Sequence, residues 1–340
     1  MNADCLKLTT YFGETDRTDR GSLAEKLLDV YAEHGVASSI ALRGTEGFGR
    51  LHHLHTRSLE TLSYDLPIVS IAVDTRERIE SILDLVRGLH EHGIVTLERA
   101  RLLSGQIESE LPGEFGDSAK LTIYLGRQPQ NTRTPVSVAI CDLLYRREIA
   151  GASVLTGIDG TREGTRHSSG PRRHTASPPG IIIAIGDSDR VAAILPELGS
   201  LLDEPLMTLE RVRICKRDGQ LFAQPHELPG HDDHGLELWQ KLTIYCSFSA
   251  THHGRNVHSE IVRKLLASDA TGATTLAGTW GYHGDHPPHG DKLFQLRRHV
   301  PAITVVIGTP QQIARSFEII DQLTSEHGLV TSEIVPAMHA

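Results

Sequence analysis

The sequence is short of several residue types, and each shortage closes off a class of protein. Among its 340 residues are four cysteines, Cys5, Cys141, Cys215 and Cys246, far apart and never in a C-x-x-C pair. Neither a zinc ribbon nor a disulfide framework is expected from such spacing; the four read as small hydrophobes in a reducing compartment. Long apolar runs are missing. The longest, Ile181 to Ile185, is far too short to span a bilayer. The opening stretch MNADCLKLTTYF has no basic segment followed by an apolar one, so no secretory signal is expected and a cytoplasmic location is. Basic charge is outnumbered, with 34 Lys and Arg against 43 Asp and Glu, a formal net charge of -9. A phosphate footprint needs a basic face, so no nucleic-acid partner is expected. Catalytic signatures are also missing. There is no G-x-S-x-G elbow, no P-loop and no H-E-x-x-H helix, and the chain does not read as an enzyme.

What is present is internal repetition, the feature to seek first. Lys7-Leu8-Thr9-Thr10-Tyr11 returns as Lys120-Leu121-Thr122-Ile123-Tyr124 and as Lys241-Leu242-Thr243-Ile244-Tyr245. Thirty-five residues after each lysine begins a Leu-x-Gly-x-x-Gly, at Leu42, Leu155 and Leu276. A proline then leads into an apolar run at Pro67, Pro179 and Pro301. Each copy ends near Thr96-Leu97-Glu98-Arg99, Thr208-Leu209-Glu210-Arg211, or the looser Thr331-Ser332-Glu333-Ile334. Four landmarks in constant order, three times over, are not chance.

Each copy reads as the same run of elements. An apolar strand comes first, then an amphipathic helix. In copy one Leu23, Leu27, Val30 and Tyr31 share a helical face, with Ser22 and Glu25 as a capping box and Gly35 as the stop. Thr134-Pro135 opens the helix of copy two and Asn256 caps that of copy three. A second strand runs into the Gly-x-x-Gly turn, a long polar loop follows, and a third strand comes after the proline. A second helix carries Ile79, Ile82, Leu83 and Val86, then Val191, Ile194, Leu195 and Leu198, then Ile313, Phe317 and Ile320. A short fourth strand closes each copy. The order βαββαβ is the ferredoxin-like split arrangement, an α+β fold. One face of such a sheet lacks cover, and three units about a common axis would supply it. The expected division is repeat 1 over 1–104, a linker at 105–118, repeat 2 over 119–216, a linker at 217–238 and repeat 3 over 239–340.

KLTTYFGETDR (7–17), ALRGTEGFGR (41–50), LSYDLPIVSIAVD (62–74) and GIVTLERARLL (93–103) resemble domain-of-unknown-function family 190, which is similar in fold to PII signal-transduction proteins. The likeness is close over 5–103, partial over 119–216 and weaker over 240–336. The resemblance implies a trimer-like ring, here built within one polypeptide as a monomer acting as a pseudo-trimer. It also implies a regulatory protein that binds a nucleotide or other anion in clefts between units. The loops Gly44–Leu66, Gly157–Pro178 and Gly278–Val300 would then dock on a transporter, of the fluoride-exporter type, or on an enzyme. The chain departs from the PII pattern before its fourth strands, where LHEHGIVT, LLDEPLMT and TSEHGLVT replace a Gly-rich phosphate loop.

Candidate effector-binding residues follow. Gly44, Gly47 and Gly49 flank a strand end and could let backbone N–H groups approach an anion, with Gly157 and Gly160, and Gly278 and Gly281, in the later copies. A tight turn needing positive φ is the plainer reading of the same glycines. Copy one also keeps Arg43, Glu46, Phe48 and Arg99, and the best-preserved site is expected beside it. Arg99 and Arg101 lie two apart on a strand and so share a face, as do Arg211 and Arg213. Paired guanidiniums suit an effector phosphate, or else they are surface charges set against Glu98 and Glu210. Copy three lacks the pair, having Ile334 and Pro336. Of twenty histidines many lie in loops, among them His52, His53, His55, His167, His174, His283, His286, His289 and His299, with His231 and His234 in the second linker. No set recurs in register, so a metal site is not expected, and a histidine-dependent metalloenzyme ranks behind an effector-independent adaptor as an alternative.

Overall fold

The computed structural model describes residues 2–19, 21–49, 52–56, 65–90, 92–107, 115–126, 134–168, 179–231, 237–268, 270–283, 288–290 and 300–339. His174, His234, His286 and His299, and parts of the three long loops, lie outside these residues. The fold is mixed α+β, with six helices among the described residues.

Unit 1 consists of strand Asn2–Gly13, helix Leu23–Glu33, strands Ser38–Arg43 and Pro67–Thr75, helix Arg76–Leu89 and strand Ile94–Ser104. The first strand lies between the third and the fourth, and the second strand flanks the third, all antiparallel. Unit 2 repeats this with strand Ser118–Leu125, helix Val136–Arg146, strands Gly151–Thr156 and Gly180–Asp187, helix Ser188–Ser200 and strand Leu206–Arg211. Unit 3 does so with strand Trp239–Ser247, helix Val257–Ala267, strands Ala273–Ala277 and Pro301–Gly308, helix Pro310–Leu323 and strand Leu329–Val335.

The helices form where the apolar spacing predicts, because each stripe covers one face of its own sheet. Leu23, Leu27 and Tyr31 are buried with Ile79, Ile82 and Val86 in one core. Ile140, Leu143 and Leu144 join Val191, Ile194, Leu195 and Leu198 in a second, and Ile261 and Leu265 join Ile313, Phe317 and Ile320 in a third. Each such side chain contributes about 1.5–3 kcal/mol on burial. The capping box predicted at Ser22 does not form, since the serine makes no side-chain cap bond. A capping box does form at Thr309 and Gln312.

The other sheet faces meet each other. Cys5, Val69, Leu102, Tyr124, Ile181, Leu206, Tyr245, Ile303 and Leu329, from all three units, make one shared core. Two sets of strand pairings run cyclically around it. In the first, residues 101–104 of the fourth strand of unit 1 pair with 206–209 of unit 2. Arg213–Arg217, which continues that strand, pairs with 329–332 of unit 3, and Ala337–His339 returns to 94–96 of unit 1. The segment read as a second linker therefore starts inside a strand, and it turns back as a hairpin onto Gln220–Leu221. Asp218 and Gly219 both have positive φ, 46° and 80°, the conformation that makes Asp-Gly a hairpin turn.

In the second set, the strand after each Gly-x-x-Gly crosses to a neighbour. Glu46–Phe48 pairs with Ala273–Thr275 of unit 3, Asp159–Arg162 with Ser38–Ala41 of unit 1, and Trp280–His283 with Gly151–Val154 of unit 2.

Candidate functional site

The landmark residues meet where the three first strands and three fourth strands converge. Alternation along a strand puts Lys7, Thr9 and Tyr11 on the face away from the helices, and Thr96 and Glu98 likewise. The same positions in units 2 and 3 bring Lys120, Glu210, Lys241 and Glu333 to the same place. Lys7 Nζ lies 2.5 Å from Glu98 of its own unit and 2.5 Å from Glu210 of unit 2. Lys120 lies 3.2 Å from Glu210 and 2.5 Å from Glu333 of unit 3. Lys241 completes the circle at 2.5 Å from Glu333 and 2.6 Å from Glu98. Three ammonium groups and three carboxylates thus alternate in a closed ring, each lysine bridging two units. None of the six side chains is more than 7% exposed.

Burial acts to neutralise such groups, and the ring opposes it. Burial would raise Glu98, but Lys241, Lys7 and Lys120 hold it well below the ordinary carboxylate range. Glu333 is lowered in the same way, burial being outweighed by Lys120 and Lys241. Lys7 and Lys120 are held above the ordinary lysine range, burial being outweighed by their glutamates. Glu210 goes the other way. Burial, reinforced by the Glu98 and Glu333 charges, raises it despite Lys120 and Lys7. Its Oε2 is buried without a hydrogen-bond partner. The three glutamates are the one group among the described residues with a metal-ligand arrangement. Three lysines already neutralise them, so the donor set does not suit a further cation. Desolvating six charges offsets much of their attraction, so the ring specifies which units adjoin more than it adds net stability.

Above the ring opens a cavity of about 2180 Å³, lined by all three units. Its floor includes Glu98, Glu210 and Glu333, and its walls carry Arg99, Arg101, Arg211 and Arg213. The predicted arginine pairs of copies one and two therefore line the same cavity. Arg99, Arg211 and Arg213 are exposed, and Arg101 is half-buried with its guanidinium 3.7 Å from Asp4. The Arg99 side chain makes no ion pair or hydrogen bond among the described residues. Glu98 and Glu210 are not its surface counter-charges, as one reading of the sequence had it, because the lysine ring takes both. That signal was present in the sequence: a Lys-x-Thr-x-Tyr face and a Thr-x-Glu face, in equal numbers, on sheets whose open side must be covered.

The Gly-x-x-Gly residues lie elsewhere. None of them lines the cavity, nor do Arg43, Glu46 or Phe48. The amides of the first glycines are engaged within their own units rather than turned to an anion. Gly44 N–H donates to Pro67 O at 2.7 Å, Gly157 to Pro179 O at 2.8 Å and Gly278 to Pro301 O at 2.7 Å. A Cβ on Gly47, Gly160 or Gly281 would sit 2.5, 2.4 or 2.3 Å from a carbonyl oxygen of the neighbouring unit, that of Ala273, Ser39 or Ala152. Of the six glycines only Gly281 has positive φ, so close approach of backbones, not a tight turn, demands glycine there. Gly49 has open space around its missing Cβ. Phe48 is buried in the core of unit 3, Arg43 pairs with Glu14, and Glu46 is buried against His258 and Ser259 of unit 3. Of the loop histidines, His55 lies 3.7 Å from Asp65, and no three described histidines gather as metal ligands would.

A family model described as "Uncharacterized ACR, COG1993", DUF190, matches residues 5–102, 118–214 and 239–337. Two UPF0166 proteins of Aquifex aeolicus (strain VF5) are similar to the chain. One is 31% identical over 78 residues, covering 23% of this chain and 81% of the relative. The other is 29% identical over 98 residues, covering 28% and 92%. Each relative is thus matched over nearly its whole length by a stretch about one unit long. The repeated landmarks, the cyclic seams and these matches agree, and the protein belongs to the DUF190 (UPF0166) family, with three tandem copies in one chain.

Proposed function

We propose that the protein is a PII-like regulator. In this reading three ferredoxin-like units close as an intramolecular pseudo-trimer, which takes a small anionic effector and passes the signal to a transporter or enzyme through the long loops. The cyclic seams support the pseudo-trimer. The observation that carries the binding role is the cavity at the convergence of the fourth strands, where Arg99, Arg101, Arg211 and Arg213 line a concave surface. Guanidiniums gathered in a cleft recognise phosphate and carboxylate groups. The neutral ring beneath them adds no net charge to repel an anion.

A thermal-shift screen with nucleotides, inorganic phosphate, fluoride and divalent metals tests the reading, because a ligand that binds the folded state raises the melting temperature. Stabilisation by an anion, lost in Arg99→Ala/Arg101→Ala while that variant melts like the parent without ligand, is the expected result. The adaptor reading has its own support in Phe222 and Ile334, large apolar side chains 52% and 47% exposed beside the cavity. It predicts no stabilisation by any of these ligands.

A further inference from the structure

The cavity is not three-fold in its chemistry. Units 1 and 2 present Arg99 with Arg101 and Arg211 with Arg213, but unit 3 presents Ile334 and Pro336 in the equivalent part of its fourth strand. Ile334 is exposed, and so is Phe222, which lines the same cavity from the hairpin that follows unit 2. Arg217 lies over the Phe222 ring, 5.5 Å from its centre, so the aromatic face is held at the rim beside a cation. Exposed large apolar side chains are few among the described residues, and two of them sit here.

Resting on the effector-binding reading, we propose that the cavity is a single amphipathic-anion site. Its ligand has an anionic group on the arginines of units 1 and 2 and an apolar body against Ile334 and Phe222. The ligand class follows from the two walls. A bare inorganic anion leaves Ile334 and Phe222 in water, whereas an aryl or acyl phosphate covers them and keeps its charge on the guanidiniums. A symmetric cavity would offer three equal sites. One apolar wall leaves one orientation and one ligand per chain.

Isothermal titration of the full chain with inorganic phosphate and with 1-naphthyl phosphate tests this, since the two share a head group and differ in the apolar body. Naphthyl phosphate is expected to bind at one per chain and at least about tenfold tighter than phosphate, the scale of burying part of an aromatic ring. Phe222→Ser and Ile334→Ser change exposed residues. They are expected to remove that advantage while leaving phosphate binding as it was. Equal affinity for the two probes, a stoichiometry of two or three, or an unchanged advantage in both serine variants would overturn the amphipathic site and leave the anion reading standing. Binding of neither probe would overturn both.

Discussion

In the ring at the floor, whose glutamates line the cavity, every unit contributes the same two residues, a lysine from its first strand and a glutamate from its fourth. A few residues further along those fourth strands, at the rim, two units carry arginines and the third carries Ile334 and Pro336. The difference follows from what each residue must meet. A floor residue faces partners in two units, so changing one leaves buried charges unpaired on both sides. A rim residue faces solvent or ligand, and it can differ between units at little cost to the fold. Repetition marks contacts that units make with each other, and divergence marks surface free to specialise.

The largest test of that contrast is charge removal at the floor. Lys120 touches all three glutamates, at 2.5 Å, 3.2 Å and 3.7 Å. Lys120→Met is expected to cost about 3–5 kcal/mol in urea unfolding, because it leaves an uncompensated buried carboxylate. Adding Glu210→Gln restores neutrality and is expected to recover part of that loss. At the rim, Arg99→Ala should stay within about 0.5 kcal/mol of the parent. Similar losses at floor and rim would erase the distinction.

Acid should also act through the floor. Glu98 and Glu333 are held below the ordinary glutamate value, so their stabilising contribution is present above that value and is lost as pH falls through their lowered folded values. Glu210, raised in the fold, works in the opposite sense, its contribution growing as pH drops through its folded value. With two groups against one, stability measured by urea midpoint should decline at strongly acid pH. Lysines held high keep their contribution through neutral pH and lose it only in strong alkali. An acid decline just as steep in a variant without both lowered carboxylates and two of their lysines, Glu98→Gln/Glu333→Gln/Lys7→Met/Lys241→Met, would assign it to other carboxylates.

Much of this architecture was legible in the sequence. The spacing of the landmarks gave three units, and the stripes at Ile79, Ile82 and Val86 and their counterparts gave the helices. The arginine pairs were expected in separate clefts between units, and both instead line one cavity. What escaped was whatever depends on the neighbour. Glu98 looks exposed beside Arg99 until the lysine of another unit is brought against it, and no local pattern shows that Gly47 lies under the carbonyl of Ala273. The hairpin at Asp218-Gly219 was readable in principle, since Asp-Gly is a strong local turn signal. It was hidden by a polar stretch without periodicity.

The seams offer a middle-sized effect. Gly160→Ala would force a Cβ to 2.4 Å from Ser39 O of unit 1, a backbone atom that cannot swing aside. A loss of about 1–3 kcal/mol is expected, the usual scale of overpacking. Gly49→Ala, with nothing near the new methyl, should change stability by less than about 0.5 kcal/mol. If Gly49→Ala proved the more damaging of the two, the Gly-x-x-Gly segment would owe its glycines to something other than the seam.

The smallest effect asks how tightly the floor is closed. All four thiols are buried. Burial pushes Cys141, Cys215 and Cys246 up to about 12 and Cys5, with Glu210 beside it, higher still. At pH 8 a thiol shifted to that degree is ionised in roughly one molecule in ten thousand, and only the thiolate attacks an alkylating reagent. Native-state labelling with iodoacetamide should therefore be slower than in urea by about a thousandfold or more at each position. Cys5 is the informative one, because it lines the cavity two residues along its strand from Lys7 of the ring. Rapid labelling there, with Cys141 and Cys246 still protected in their unit cores, would mean that the units part at the floor while each keeps its own core intact. The ring would then be a contact that opens in solution, and the contrast between a fixed floor and a free rim would fail at its floor.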